Sequence, residues 1–297
     1  MTQKTHITLG TATPGGGFPA YGWPYAEVLN APDDSLNIEP LNTKGSGENV
    51  GRIDNGELDI ALATGEVTYE AVNGIGRAPC KNIRIINATY SQAGMFMVRA
   101  DSPYQTIGDL AGKTVVWGAS SSGFVVLARY VFDGLGLDIK KDFDARLLEK
   151  AGDGPPLVNG GEAAAMWGGG VGWPPFMAIA KNPKRMRFIS PGTDEIRRIQ
   201  SKHAFLKQTT MPAGSYPGQT GPVNSVGSWP FVLARASLPD DVAYRLAKAL
   251  HQGHAALAAK LDQAQESTLA NTLAAAPTRE LIHPGVLKYM KEIGLVQ

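Results

Sequence analysis

The sequence predicts an α/β protein made of two lobes that share one plan. Short apolar runs alternate with longer amphipathic segments, which is typical of strands joined by helices. The length of 297 residues suits one large or two medium domains, and a hydrophobic fraction of 43% can build a proper core. Two stretches of sequence also recur at a nearly constant spacing, and this repeat indicates two lobes.

The repeat consists of two pairs of similar segments. "TLGTATPGGGF" resembles "VVWGASSSGF", and "NGELDIALATGEVTYEAV" resembles "NGGEAAAMWGGGVGWPPFMAI". Phe18 matches Phe124 and Asn55 matches Asn159, so the two spacings agree within two residues. A constant spacing predicts that the second lobe repeats the strand, small-residue loop and helix of the first.

Strands and helices alternate through the first copy. "HITLGTA" is a predicted strand, and "FPAYGWPYAEVLN" is mostly helix with Pro19 in its first turn, where a missing N–H costs nothing. "GELDIALAT" is a predicted strand and "EVTYEAVNG" a helix. "NIRIINATY" and "AGMFMVRA" are predicted strands.

The second half continues the same alternation. "TIGDLAGKTVVWGA" predicts a short helix followed by a strand, and "FVVLARYVFDGLGL" predicts a helix closed by Gly134 and Gly136. "DDVAYRLAKALHQGHAALAAKL" predicts a helical stretch that begins behind Pro239 and Asp240.

Charge and cysteine content exclude several classes of protein. The net charge is +1, with 28 basic and 27 acidic residues, so the sequence offers no electrostatic reason to bind nucleic acid or an anionic membrane surface. The single cysteine, Cys80, excludes an internal disulfide and a cysteine-based metal site. No stretch of about 18 apolar residues is present, so we expect no membrane span.

The start of the chain bears on localisation. "MTQKTHITLG" has no apolar segment of the kind that a signal peptide needs. The protein is therefore either cytosolic, or secreted with its leader already removed. Composition does not decide between these two interpretations.

The triple glycine at Gly15, Gly16 and Gly17 is the first candidate binding loop. The loop follows a predicted strand and precedes a helix, where α/β sheets bind ligands and helix N-termini offer unpaired N–H groups. No Walker or dinucleotide-binding pattern is present. The loop either captures an anion or carboxylate with its backbone, or is only a tight turn.

Serine and lysine residues add further candidates. "ASSSG", residues 119–123, supplies three hydroxyls, one of which is expected to cap the following helix. A serine nucleophile is not expected because the segment lacks the GxSxG spacing. Lys44 is either a counter-charge for a ligand carboxylate or a solvated loop residue, and Asn49 either caps or orients its loop.

The remaining candidates are acidic, aromatic and histidine residues. Glu66 either binds a ligand amine or caps a helix. Trp117, Trp167 and Trp173 flank glycine-rich strand ends, where they either pack in the core or form an apolar wall around a ligand. The histidine pair at 251 and 254 has a spacing that can ligate metal, but a solvated helix face is the expected interpretation because no carboxylate accompanies it.

An ordered set of short motifs carries a resemblance along nearly the whole chain. The set begins with "TATPGGGF" and "GSGENVGRIDNGELDIALAT" and continues through "MFMVRADSPYQTIGDLAGKTVVWGASSSG", "PAGSYPGQ" and "SWPFVLARASLPDDVAYRLAKAL" to "IHPGVLKYMKEIG". The pair "YPGQ" and "LPDDVAY" is the most specific. With this set the chain resembles the TAXI-type solute-binding proteins of tripartite ATP-independent periplasmic (TRAP) transporters.

This resemblance implies a fold and a division of the chain. The fold is the two-lobed α/β periplasmic-binding-protein fold of type II, with two hinge crossings and a ligand cleft between the lobes. The first lobe would be 1–98 and 229–297, and the second lobe 99–228. The strand "MFMVRA" would lead out of the first lobe, and "SWPFVLARA" would lead back.

The resemblance also implies a function without catalysis. Family members are extracytoplasmic proteins that close on a small organic acid and deliver it to the permease subunits of a TRAP transporter. We accordingly expect a periplasmic monomer whose leader has been removed, with no cofactor and no metal. The expected ligand is a C4–C5 dicarboxylate or a glutamate-like compound, and an apolar monocarboxylate is the second choice.

The expected ligand-binding residues lie at strand ends and helix N-termini of both lobes. They are Thr13, Gly16, Gly17, Phe18, Lys44, Ser46, Asn49, Thr64, Glu66, Trp117, Ser120, Ser121, Ser122, Gly123, Trp167, Trp173 and Tyr216. The sequence departs from the family pattern at Pro19, at 63–66 and at "WGGGVGWPP", and these departures weaken the expectation of glutamate itself.

Two other functions share the same fold. A sensor would bind the same ligand but dock a receptor, and an adjacent permease gene would argue against it. An enzyme would need an acid–base pair, for which Glu66 beside Lys44 is the obvious choice. Recovery of the ligand unchanged after long incubation would argue against the enzyme.

Overall fold

The structure is a computed structural model that describes residues 4–181 and 186–297. Within these ranges the strands are β1 Thr5–Gly10, β2 Leu36–Leu41, β3 Ile60–Ala63, β4 Ile83–Ala88, β5 Gln92–Val98, β6 Thr114–Ala119, β7 Asp144–Leu148, β8 Ala165–Gly169, β9 Arg187–Ile189, β10 Lys207–Met211, β11 Val223–Ser228 and β12 Phe231–Arg235. The α-helices are α1 Gly17–Asn30, α2 Ser46–Asp54, α3 Gly65–Asn73, α4 Gly123–Leu135, α5 Gly154–Gly160, α6 Pro174–Ala180, α7 Thr193–Lys202, α8 Asp240–Lys260, α9 Leu269–Ala275 and α10 Pro284–Glu292.

The chain divides into two compact units. Unit 1 consists of Met1–Ala12, Phe18–Tyr90 and Trp229–Gln297, and unit 2 consists of Thr13–Gly17 and Ser91–Ser228. Strand β5 lies wholly in unit 2, whereas the sequence placed it at the end of the first lobe. The reason is backbone pairing, because β5 bonds with β8, β9 and β11 of the second sheet.

Unit 1 is built on a five-stranded sheet with the strand order β2-β1-β3-β12-β4. Strand β1 is parallel to both β2 and β3, and β12 is antiparallel to both β3 and β4. Parallel neighbours require crossover helices, which α1 and α2 supply. The core of this unit packs apolar side chains of these strands against helices α1, α8 and α10.

Unit 2 repeats this plan with added strands. Its larger sheet has the order β10-β11-β5-β8-β6-β7, with β9 also paired to β5. Strand β6 is parallel to β7 and β8, as β1 is to β2 and β3, and β5 is antiparallel to β8, as β12 is to β3. The sequence repeat therefore corresponds to a repeat of topology.

The repeat also holds at the level of single elements. The first repeated segment forms β1 and α1 in one copy and β6 and α4 in the other, and the second forms β3 and α3, then β8 and α6. Gly136 ends α4 in the left-handed conformation, with φ of 78°, as a helix-terminating glycine does. Gly134, which the sequence also placed at the end, lies inside the last turn of α4.

In the described part of the chain, no helix combines the length and the apolar character that crossing a bilayer requires.

Candidate functional site

The polar residues of unit 1 come together where β1 and β3 end. We call this group the unit 1 polar cluster; its members are Thr11, Ser46, Asn49, Thr64 and Glu66. All five side chains are buried, although hydroxyl, amide and carboxylate groups ordinarily stay in water. Burial of this many polar groups at strand ends is typical of a ligand site.

Asn49 of helix α2 holds the two strand ends in place. Its Nδ2 donates to the Thr11 carbonyl and to the Leu62 carbonyl, both at 2.7 Å. Its Oδ1 is buried and has no hydrogen-bond partner among the described residues. A Cβ on Gly10 would lie 2.9 Å from this oxygen, so glycine is needed there. Asn49 therefore orients the loop, one of the two roles that the sequence suggested, and it presents an unused acceptor.

Thr64 immediately precedes helix α3 and serves as its N-cap residue. Its backbone N–H donates to the Ser46 hydroxyl at 3.1 Å, which ties it to the first residue of α2. The Thr64 hydroxyl caps no backbone group of α3, and in the described residues it has no hydrogen-bond partner. It is an unused hydroxyl, 3% exposed, at the N-terminus of a nine-residue helix.

Glu66 adds a carboxylate to the same place. It lies in the first turn of α3 and is 1% exposed. A negative charge there is favoured by the positive end of the helix dipole. Beside this carboxyl group the cluster holds an acceptor oxygen and a hydroxyl that have no hydrogen-bond partner among the described residues, and a ligand that carries both donors and acceptors would match these two atoms.

Lys44 does not belong to the buried cluster. Its side chain is exposed, and its backbone N–H donates to Glu48 Oε2 at 2.8 Å. Thr43 beside it is buried and donates from its hydroxyl to the Thr11 carbonyl at 3.0 Å. Thr11 and Thr43 were missed by sequence reasoning, although Thr11 lies at the end of a predicted strand; strand β2, which precedes Thr43, was not predicted. A role for Lys44 in binding stays a prediction.

The glycine loop belongs to unit 2 and is a closed turn. Gly15 has φ of 78°, a conformation that side chains other than glycine resist, whereas Gly16 and Gly17 do not have positive φ. The Gly16 N–H donates to the Thr13 carbonyl at 3.2 Å, and the Thr13 hydroxyl accepts the Ala151 N–H at 3.4 Å. The triple glycine is thus explained in part by a turn, with Gly15 as the residue that requires it.

One hydroxyl of the serine loop caps the following helix, as the sequence predicted. Ser122 is the N-cap of α4, and its hydroxyl accepts the Phe124 N–H at 3.2 Å. Ser121 is half-buried and Ser120 is exposed. Gly123 is the first residue of the helix. Phe18, at the corresponding place in the first copy, packs in the core of unit 1.

Two tryptophans of the predicted ligand wall pack in the core of unit 2. Trp117 and Trp167 have no exposed surface, and both rings meet Phe96 and Phe132 with centroids 5.0–5.5 Å apart. Trp167 Nε1 donates to the Phe124 carbonyl at 2.9 Å. These two rings therefore pack in the core, which was one of the two alternatives that the sequence left open.

Trp173 and Tyr216 are joined by a hydrogen bond in unit 2. The Tyr216 hydroxyl donates to the Gly170 carbonyl at 2.6 Å and accepts the Trp173 N–H at 2.8 Å. Burial raises the pKa of Tyr216 far above its ordinary range, against a smaller lowering by the Trp173 N–H. The hydroxyl stays protonated and is fully used by the protein, so it fixes the "GGVGW" loop.

Within residues 4–181 and 186–297, no group of three or more histidine, cysteine, aspartate or glutamate side chains could hold a metal ion. The histidines at 251 and 254 bond to the Tyr289 hydroxyl and the Gln265 carbonyl, at 2.8 and 3.1 Å.

Comparison with known protein families shows to which family the chain belongs. Residues 9–294 match the NMT1-like family. The chain belongs to the NMT1-like family. Because the match spans nearly the whole chain, both units of this family member are included in it.

Solved structures similar to this family member share its fold. A periplasmic transporter is 16% identical, with 87% of each chain covered and a TM-score of 0.59. A TctC solute binding protein from Polaromonas is 15% identical, with 98% of each chain covered and a TM-score of 0.54. The periplasmic aliphatic sulphonate binding protein SsuA from Escherichia coli is 17% identical, covers 99% of this chain and 94% of its own, and has a TM-score of 0.51.

Identities this low establish the fold alone. The predicted two-lobed periplasmic-binding-protein fold is confirmed, with mixed α/β architecture and two sheets. Assignment to the TAXI type in particular stays a prediction.

Proposed function

We propose that this chain is an extracytoplasmic solute-binding protein that captures a small organic acid and delivers it to a membrane permease. The observation that carries the proposal is the unit 1 polar cluster, where Thr64 Oγ1 and Asn49 Oδ1 are buried without hydrogen-bond partners in the described residues. Buried polar atoms are ordinarily paired, and unpaired ones at strand ends favour a ligand that completes them. Similar folds in proteins named as binding proteins for solutes and sulphonates support the same function.

The chemistry of the cluster favours an amino-acid-like acid within the predicted ligand class. Thr64 can donate its hydroxyl hydrogen to a ligand carboxylate, close to the first N–H groups of α3. Asn49 Oδ1 can only accept a hydrogen bond, so it favours a ligand donor such as an amine. An acid that also carries an amine would pair both Thr64 Oγ1 and Asn49 Oδ1, so we place a glutamate-like compound ahead of a plain C4–C5 dicarboxylate.

The experiment compares two probes that differ only by the amine. A thermal-shift screen over amino acids and organic acids is followed by calorimetric titration with glutamate and with glutarate. Glutamate should bind more tightly than glutarate if the amine meets Asn49 Oδ1. Equal affinity would remove the amine from the proposal, and the absence of any binding acid would contradict the function.

A matched pair of variants locates the site. Thr64→Val keeps the shape of the side chain but removes the hydroxyl, and should weaken binding of the best acid at least about tenfold, because the lost hydrogen bond is to a charged group. Thr68→Val is the control, since its hydroxyl donates to the Thr64 carbonyl at 2.9 Å inside the same helix. Unchanged affinity in Thr64→Val would exclude this hydroxyl from the site.

The partner that the family resemblance suggests is a TRAP permease. We propose that the loaded protein docks on such a permease, rather than on a sensor receptor. Deletion of the gene should abolish uptake of the acid and leave signalling responses to it intact. Loss of signalling with normal uptake would favour the sensor.

A further inference from the structure

Strand β7 forms one edge of the sheet of unit 2. In the described part of the chain it pairs with β6 alone, in parallel. Its residues Asp144, Ala145, Arg146 and Leu147 are all exposed, and Leu147, at 42%, is one of few large apolar side chains with that much exposure. An exposed edge strand presents unpaired N–H and C=O groups to which a further strand can bond.

Backbone hydrogen bonds show which residues of β7 face the open edge. The Asp144 N–H and the Leu148 carbonyl both bond to backbone groups beside the two ends of β6, at 3.0 and 3.3 Å. Backbone groups alternate in direction from residue to residue along a strand. Ala145 and Leu147 therefore direct their N–H and C=O groups away from β6, to the open edge.

The counterpart of β7 in the repeat, strand β2 of unit 1, has a protected edge. The Leu41 carbonyl accepts the Thr11 N–H just past the end of β1 at 2.9 Å, so Ile38 and Pro40 face outward. The Asn30 side chain donates to the Ile38 carbonyl at 3.1 Å and accepts the Ile38 N–H at 2.8 Å. Pro40 has no N–H, and proline is a common protection of edge strands. Strand β7 has no proline and, among the described residues, no side chain that bonds its outward backbone groups.

The charges on β7 are complementary to a second copy of the same strand. Two β7 strands that pair antiparallel about a two-fold axis at Ala145 place Asp144 of each copy opposite Arg146 of the other. Directly opposite side chains lie on the same face of the sheet, where opposite charges are favourable. Ala145, an outward residue, then forms the hydrogen-bonded pair on the axis. An axis at Asp144 or at Arg146 would instead place like charges opposite one another.

Both charged groups are free to make this contact. The Arg146 side chain has no hydrogen bond or ion pair within the residues that the structure describes. Asp144 Oδ2 accepts the Thr114 hydroxyl at 2.7 Å, which leaves Oδ1 to accept from an arginine. The same register places Leu147 of each copy opposite Phe143 of the other, so pairing also removes the exposed leucine from water.

We propose that β7 is the interface of a symmetric dimer, in which two copies of this chain join their unit 2 sheets antiparallel across Ala145. The partner is a second copy because the charges of the strand complement themselves. Backbone hydrogen bonds, two ion pairs between Asp144 and Arg146 and the burial of Leu147 stabilise the pair. The monomer that the family resemblance implies is then the dilute form of the chain. The dimer does not depend on the proposed solute or permease.

Sedimentation velocity of the full chain tests the dimer. The mean mass should rise from that of one chain toward that of two between about 10 µM and about 1 mM, because a single strand edge is a small interface. A mass that stays at that of one chain throughout this range overturns the proposal.

Charge reversal tests the register. Asp144→Lys and Arg146→Asp each turn the two ion pairs into like-charge contacts, so each variant alone should dimerise about tenfold more weakly or worse. An equimolar mixture of the two variants restores opposite charges at both contacts and should dimerise nearly as well as the unaltered chain. A mixture that stays as weak as the separate variants overturns the proposed pairing.

Two further variants separate the interface from effects on folding, and circular dichroism checks that each keeps the fold. Ala145→Pro removes the outward N–H on the axis, a change that an edge strand tolerates, and should weaken the dimer. Lys207→Glu reverses an exposed charge on β10, the opposite edge of the same sheet, and should leave the dimer unchanged. An unaltered dimer in Ala145→Pro, or loss of the dimer in Lys207→Glu, would place the interface elsewhere and reject β7.

Discussion

At the scale of single residues, Thr64 and Thr68 show how one hydroxyl can serve a ligand and another the fold. Both are buried threonines at the start of α3. The Thr68 hydroxyl donates to a helix carbonyl, whereas the Thr64 hydroxyl has no partner in the described residues. A protein that keeps a buried polar group unpaired loses stability, and a ligand that pairs it explains why the group is kept.

These two residues predict opposite effects on stability without ligand. Thr64→Val should leave the free energy of unfolding unchanged or raise it by up to about 1 kcal/mol, because it removes an unpaired buried hydroxyl. Thr68→Val should lower it by about 1 kcal/mol, because it removes a hydrogen bond. Urea unfolding of both variants measures the difference. Equal destabilisation by the two changes would show that Thr64 has a structural partner.

At the scale of elements, helix α10 depends on a buried histidine at its start. His283 is the N-cap, and its Nδ1 accepts the Gly285 N–H at 3.2 Å while its Nε2 donates to the Leu238 carbonyl at 3.0 Å. This arrangement requires the neutral ring. Burial lowers the pKa of His283 below its ordinary 6.5, assisted by Arg84 and opposed by the Leu238 carbonyl and Asp240.

The lowered pKa of His283 predicts how stability changes with pH. As the pH falls through 6.5, the unfolded chain binds a proton at His283 before the folded chain does. The free energy of unfolding should therefore fall below this pH, by at most about 1.4 kcal/mol per pH unit for this one group, and should be independent of His283 above it.

The measurement is urea unfolding between pH 5 and 8. His283→Asn keeps a capping side chain and should lose the part of the pH dependence that His283 causes. His6→Asn is the control, because the His6 side chain is half exposed on β1. A pH dependence that persists in His283→Asn and disappears in His6→Asn would contradict the assignment.

At the scale of the whole molecule, two units repeat one strand order. In each unit a central strand has two parallel neighbours, and an antiparallel strand follows on one side. The chain crosses between the units at 90–91 and at 228–229. The glycine loop, Thr13–Gly17, also belongs to unit 2, whereas the residues on either side of it belong to unit 1. Closure of the units on a ligand is implied by the family resemblance and stays a prediction.

Small-angle scattering tests closure directly. The radius of gyration should decrease when the best acid from the screen saturates the protein, because a ligand that binds one conformation better shifts the population toward it. Thr64→Val at the same acid concentration is the control and should contract less. Dimensions that stay fixed at saturation would contradict closure on the ligand.

The sequence by itself determined the fold class, the alternation of strands and helices, and the repeat. These follow from local patterns: the spacing of apolar residues predicts each element, and glycine, proline and serine predict its ends. A serine cap at the start of α4 and Gly136 at its C-terminal end were both visible in the sequence, because a cap involves neighbours only a few positions away.

Only the tertiary structure decided which residues meet. Strand β5 belongs to the second sheet because its backbone pairs with strands far along the chain. Trp117 and Trp167 are buried because several distant aromatic rings surround them, and a tryptophan at a strand end has the same sequence pattern whether it faces a ligand or a core. The unpaired atoms of Asn49 and Thr64 are likewise a result of burial. Burial depends on long-range packing, which local periodicity does not encode.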